Sequence, residues 1–255
     1  MHRSIRYLVF YALLLFCFSG TLFSQKVSYD NLGKYWLIED NRIVCVSESD
    51  RLKPTFSRIV LGNPTSVDAS DPFKILVFYQ NTQTVAIISN DAVLIGKPVE
   101  LFQFNIGEAS CATRSSLGGI WLAIQGAQKI IRLDKHLKQT EQTIKLPSRY
   151  AKFAVIQITE YNGELYVGLE DGSVVAFDTY GALVHEYTYE PFSNFLIDKN
   201  RVFIAKKGEV FEYSLFNSQE LLAKYKCDCA DYITITHSLL ACYDGQQFNF
   251  CEKFN

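Results

Sequence analysis

This 255-residue sequence predicts an all-β chain of six repeated sheets, on three observations. It carries 19 Phe, 15 Tyr and 2 Trp, and aromatic and β-branched residues favour strands over helices. A pair of short apolar strands recurs at intervals of 37 to 45 residues, the spacing of a repeat architecture. Turn residues fall between the paired strands, and Asp-Gly, as at Asp171-Gly172 and Asp244-Gly245, is a strong hairpin signal. Apolar residues make up 48% and charged residues 20%, enough for a sizeable core and outside the disordered class. The net charge of -2 argues against nucleic acid as a partner, which calls for a basic surplus.

Residues 1–24 read as a secretory signal peptide. His2, Arg3 and Arg6 form a positive start, and Tyr7 to Phe18 is an apolar run of about a dozen residues. Cleavage before Gln25 is expected, although Leu22 fits the small-residue rule poorly. A membrane span needs about 20 apolar residues, so a retained anchor is the weaker alternative. A lipoprotein signal at Cys17 would want a small residue before it, where Phe16 stands. Residues 25–255 are then expected to be one exported domain, periplasmic or at the cell surface, soluble after cleavage and not membrane-spanning.

The paired strands follow in order. The first of each pair begins at Tyr35, Ile75, Ile120, Leu165, Val202 and Leu239; the second begins at Arg42, Thr84, Lys129, Ser173, Glu209 and Gln247. The second residues of the first strands are Trp36, Leu76, Trp121, Tyr166, Phe203 and Leu240. Helical repeats would instead show apolar residues at i, i+3, i+4 and i+7. Each unit has room for four strands, in the fourth Val155–Thr159, Leu165–Leu169, Val174–Phe177 and Val184–Tyr189. Four antiparallel strands per unit of about 40 residues is the blade of a β-propeller. Packing blades round an axis buries faces that one sheet cannot bury alone. The sixth unit stops after its third strand, and Lys26–Tyr29 is expected to supply its fourth, so that the N-terminal strand closes the last blade.

The stretch Phe177-Asp178-Thr179-Tyr180-Gly181-Ala182-Leu183-Val184 resembles the strand-to-turn signature of NHL and PQQ-like propellers, with Asp and Gly bracketing the turn before the last strand. Arg132 to Leu137 is a degenerate copy, and Val67 to Tyr79 is similar to a stretch of secreted bacterial propellers of unassigned role. The resemblance implies a fold, and a fold does not imply a function.

Candidate chemistry is sparse. Four cysteines lie close to the C terminus, and a bridge from Cys227 or Cys229 to Cys242 or Cys251 would fix the last blade; free buried thiols are the competing reading. Their spacing departs from structural zinc motifs. His237 ends the expected inner strand of blade six, near a channel mouth. There is no Gly-x-Ser-x-Gly elbow, no phosphate loop and no His-Glu-x-x-His. Asp68, Glu108, Glu160, Asp198 and Asp231 are the candidate channel acids, which as pairs could do glycosidase work or hold Ca²⁺, although no cofactor is required. Tyr187, Tyr189 and Phe192 alternate with polar residues and suit a recognition surface, as does Leu101 to Asn105.

The resulting expectation is a non-catalytic, exported propeller that binds an envelope or secreted protein. Two alternatives remain: a hydrolase or lyase acting on a sugar or lactone through channel-mouth carboxylates, and a sensor for a small ligand. The first would show acids converging at one end of the channel.

Overall fold

A computed structural model describes residues 26–47, 53–217, 220–228, 233–236, 239–243 and 248–254. The signal peptide, Cys229, Asp231 and His237 lie outside the described residues.

Blade one is β1 (Val27–Tyr29), β2 (Tyr35–Glu39), β3 (Arg42–Val46) and β4 (Thr55–Ser57). Blade two is β5 (Ser66–Asp68), β6 (Ile75–Tyr79), β7 (Thr84–Ile88) and β8 (Val99–Glu100). Blade three is β9 (Ala109–Arg114), β10 (Ile120–Ile124), β11 (Lys129–Leu133) and β12 (Thr140–Lys145). Blade four is β13 (Val155–Tyr161), β14 (Glu164–Leu169), β15 (Ser173–Phe177) and β16 (Leu183–Thr188). Blade five is β17 (Asn194–Asp198), β18 (Arg201–Lys206), β19 (Glu209–Ser214) and β20 (Leu221–Lys226). Blade six contributes β21 (Ile233–Thr236), β22 (Leu239–Tyr243) and β23 (Phe248–Phe250), and β24 (Glu252–Phe254) ends the chain's strands. Consecutive strands pair antiparallel within each blade, and the whole is a six-bladed β-propeller.

Closure departs from the sequence expectation. Lys26–Tyr29 does not complete blade six; β1 is the inner strand of its own blade, with Val27 opposite Leu37 and Tyr29 opposite Tyr35. The reason is local. Asp30 accepts the amide protons of Leu32 and Lys34, closing a short turn that returns the chain onto β1. A short loop costs less entropy than a closure across the whole chain. At the other end, β24 leaves blade six and pairs with β20, giving blade five a fifth strand. Cys251, just before β24, is disulfide-bonded to Cys227, just after β20. Cys242 is also disulfide-bonded, whereas Cys45 and Cys111 are thiols.

The core lies in wedges between blades. Side chains alternate along a strand, so each second strand sends one set of residues forward and the other back. Trp36, Leu76, Trp121, Tyr166 and Phe203 are all buried against the blade that follows. Leu240 departs from this series. It packs with Phe203 and Val210 of blade five, while Tyr243 faces Val27, Tyr35 and Leu37 of blade one. A one-residue offset turns every side chain of a strand to the other face.

Polar staples join the inner strands. The side-chain amide of Gln83 donates to the Ala109 carbonyl (3.0 Å) and accepts the Ala109 N–H (2.7 Å), tying blade two to three. Gln157 does the same with Phe195 between blades four and five (2.8 and 3.0 Å). The Ser28 hydroxyl accepts the Ala69 N–H between blades one and two.

Candidate functional site

Strands alternate in direction within a blade, so the loops after the first and third strands emerge on one face. Among the described residues these include 30–34, 69–74, 115–119, 162–163 and 199–200 near the axis, and 89–98, 134–139, 178–182 and 215–217 further out.

Three of the outer loops begin with the same hydrogen-bonded turn. Asp178 accepts the amides of Tyr180 and Ala182 through its carboxylate, and its carbonyl accepts the Gly181 N–H. Gly181 has φ +85°, where an L side chain is strained. Asp134 and Leu137 repeat the turn in blade three, with Leu137 in the left-handed region, and Ser89 and Ala92 repeat it in blade two. The blade-two copy has Ser where the turn begins and Ala in place of Gly, which hides it from sequence reading.

Of the cavities that open on this face, two share Ser70. The axial cavity, about 450 Å³, is lined by inner strands that include Ser28, Asp68, Thr159, Asp198 and Thr234. A cleft of about 390 Å³ lies between the inner loops of blades two, three and four, walled by Asp71, Lys74, Arg114, Ser115, Glu160 and Asn162 among others.

The expected channel acids divide. Asp68, Glu160 and Asp198 lie at this face, whereas the exposed Glu108 sits just before β9, toward the opposite face. Asp68 is buried and holds blades two and three together. One of its oxygens accepts the Ser70 N–H, and the other accepts the Thr113 hydroxyl (2.6 Å) and the Arg114 N–H (2.7 Å). Glu160 does the same for blades three and four, accepting the Ser116 N–H (3.0 Å), the Ser116 hydroxyl and the Trp121 indole N–H (2.7 Å). Asp198 is held more loosely, by Arg201 at 3.5 Å. Among the described residues no group of three or more His, Cys, Asp or Glu side chains is arranged to hold a metal ion.

The aromatic recognition strip is corrected. Tyr187, Tyr189 and Phe192 are buried, packed with Tyr166, Phe195 and Ile204 in the wedge between blades four and five. The stretch Leu101–Phe104 is a 3-10 turn that buries Leu101 and exposes Phe102. Apolar side chains stand out instead at loop tips: Leu32, Phe73, Leu117, Tyr180 and Phe216 on the cavity face, the last two 90% and 84% exposed, and Ile59, Val60 and Phe102 on the opposite face. Sequence reading missed them because most are single apolar residues in polar loops, and Phe216 follows only the buried Leu215.

Burial pushes the phenols of Tyr79 and Tyr187 up to about 12, and those of Tyr166 and Tyr189 higher still. An unfolded tyrosine ionises near about pH 10. The folded chain holds these protons where the unfolded chain releases them. This contribution to stability is therefore intact below pH 10 and is lost as pH rises through 12. Urea midpoints measured from pH 8 to 12 are expected to be level up to about pH 10 and then to fall. A midpoint that stays level to pH 12 would contradict the burial of these rings.

Together these features define a six-bladed β-propeller with paired cavities at the axial mouth and apolar loop tips around them. Many solved structures are similar, among them the following two. The chain covers 83% of a streptogramin B lyase with 91% of its own length, at 13% identity and TM-score 0.60. It covers 77% of a protein of unknown function from Bacteroides caccae with 75% of its own length, at 10% identity and TM-score 0.58. These likenesses show the fold. No protein-family model matches the sequence, and no curated protein matches it.

Proposed function

We propose that this chain is an exported, non-catalytic propeller of the NHL/PQQ-like kind that docks a protein of the bacterial envelope through its cavity face. The observation that carries the reading is the set of apolar tips on that face, Leu32, Phe73, Leu117, Tyr180 and Phe216. Interface cores are enriched in aromatic residues and poor in charge. The loops bearing these tips stand on a rigid ring, so they are presented with little ordering cost. Export is supported by the disulfide at Cys227–Cys251, since disulfides persist in oxidising compartments. The Asp178–Gly181 turn supports the NHL/PQQ-like placement.

The lyase activity named for one structural neighbour is a poorer reading. A general acid or base needs a carboxylate oxygen available to a substrate. Asp68 and Glu160 give theirs to Thr113, Arg114, Ser116 and Trp121, which leaves Asp198, held by Arg201 at 3.5 Å, without the second converging acid that this reading needs.

The test is photo-crosslinking in intact native cells, with the crosslinker placed at Tyr180 or Phe73, or at Gln125 on the opposite face. One partner protein is expected from the first two positions and not from the third. Combined Phe73→Asp and Tyr180→Ser substitutions should cut its recovery at least about ten-fold, as loss of central apolar anchors does. Equal recovery from both faces, or unchanged recovery from the double variant, contradicts the reading.

A further inference from the structure

Hydrogen-bond accounting in the 390 Å³ cleft leaves an excess of donors. Its two acids are already satisfied. Glu160 accepts three hydrogen bonds from Ser116 and Trp121, and Asp71 accepts the Phe73 N–H and one arm of Arg114 at 3.3 Å. Two buried donors among its lining residues are not, and an exposed lysine stands beside them. The Arg114 Nε is buried without a partner, and so is the hydroxyl of Ser115, a residue only 5% exposed. Lys74, on the same cleft, forms no ion pair among the described residues. Buried polar atoms lacking a partner are rare in native proteins and call for an explanation.

We propose that this cleft is a binding site for a carboxylate, held by Arg114, Lys74 and Ser115. A guanidinium presents its N–H groups as a fork that matches a carboxylate. An ammonium beside it adds a second positive charge, and the Ser115 hydroxyl supplies a further donor. A phosphate dianion would suit the fork as well, but Asp71 and Glu160 stand in the same cleft and oppose a second negative charge. The cleft volume is within the range of small-molecule sites. The carboxylate can belong to a free small acid or to the C terminus of a peptide. The inference stands apart from the docking proposal, because the cleft can fill without the apolar tips being covered.

Isothermal titration calorimetry on the purified protein tests it. The probes are lactate, glucuronate, its neutral counterpart glucose, inorganic phosphate, and a pentapeptide with a free or an amidated C terminus. At least one carboxylate should bind while its neutral counterpart does not. Binding by glucuronate or lactate identifies a free acid as the source, and binding by the free-ended peptide alone identifies a chain terminus. Arg114→Gln should weaken binding at least about ten-fold, and Arg114→Lys should restore it only in part, since the fork is lost. Lys74→Gln, at an exposed side chain that the fold does not use, should weaken it several-fold and guards against misfolding of the arginine variants. The proposal is overturned if no carboxylate binds, if neutral counterparts or phosphate bind equally well, or if Lys74→Gln leaves affinity unchanged.

Discussion

Replacing Cys227 and Cys251 together by alanine is expected to lower stability by about 3.5 kcal/mol, the chain-entropy value for a bridge across 24 residues. The location makes the effect larger than that of an average surface bridge. The ring itself closes where Tyr243 of blade six packs on Val27, Tyr35 and Leu37 of blade one, and β24, crossing from blade six to the edge of β20, ties blade six to blade five on its other side. That ladder is short, with Lys224, Tyr225 and Lys226 opposite Phe254, Lys253 and Glu252. Three residue pairs at a chain end would fray readily, and the disulfide next to them keeps the two strands in register. Urea unfolding under non-oxidising conditions measures the loss. Amide exchange at residues 224–226 and 252–254 should accelerate in the double variant more than exchange in β10 or β14. Protection that survives at those positions would mean that strand pairing alone holds β24 on blade five and the disulfide is secondary.

How much of this was legible in the sequence depends on how local each feature is. The strand pairs were, because a hairpin needs only its own turn and its own alternation. Asp171-Gly172 gives the turn between β14 and β15, and the unit-four strands fall within two residues of where the sequence places them. The ring-level features were not. The reading of Leu240 as equivalent to Trp36 follows from counting along the chain, whereas its direction is set by which neighbour the blade meets. Tyr187 and Tyr189 alternate with polar residues as an exposed strip would, but the wedge between blades needs large rings too, and the pattern is the same for both. The cleft is harder still. Lys74 comes from the loop after β5, Arg114 from the end of β9 and Glu160 from β13, and nothing in their spacing brings them together until blades two, three and four stand side by side. Asp68 and Glu160 were found as acids near the axis, yet their work is to join blades, because a carboxylate at the end of one inner strand reaches the donors of an adjacent blade before it reaches solvent.

That joining role makes Trp121 the position where one substitution should cost most. The ring is 2% exposed, fills the wedge between blades three and four with Leu165 and Val167, and carries the Arg132 guanidinium 5.5 Å from its centre. Trp121→Ala is expected to cost about 3–5 kcal/mol, the usual range for emptying a buried aromatic site. Trp121→Phe separates the packing from the hydrogen bond. Most of the buried area stays, the indole donor to Glu160 goes, and the expected cost falls to about 1–3 kcal/mol because the carboxylate is left short of a partner. Glu160→Gln tests the same bond from the other blade. If that bond couples the two blades, the double variant Trp121→Phe with Glu160→Gln should lose less than the two single variants together, by about 1 kcal/mol or more in urea unfolding. Strict additivity would mean that Trp121 acts through packing alone, and that blades three and four are held by the apolar wedge without help from the acid at the channel mouth.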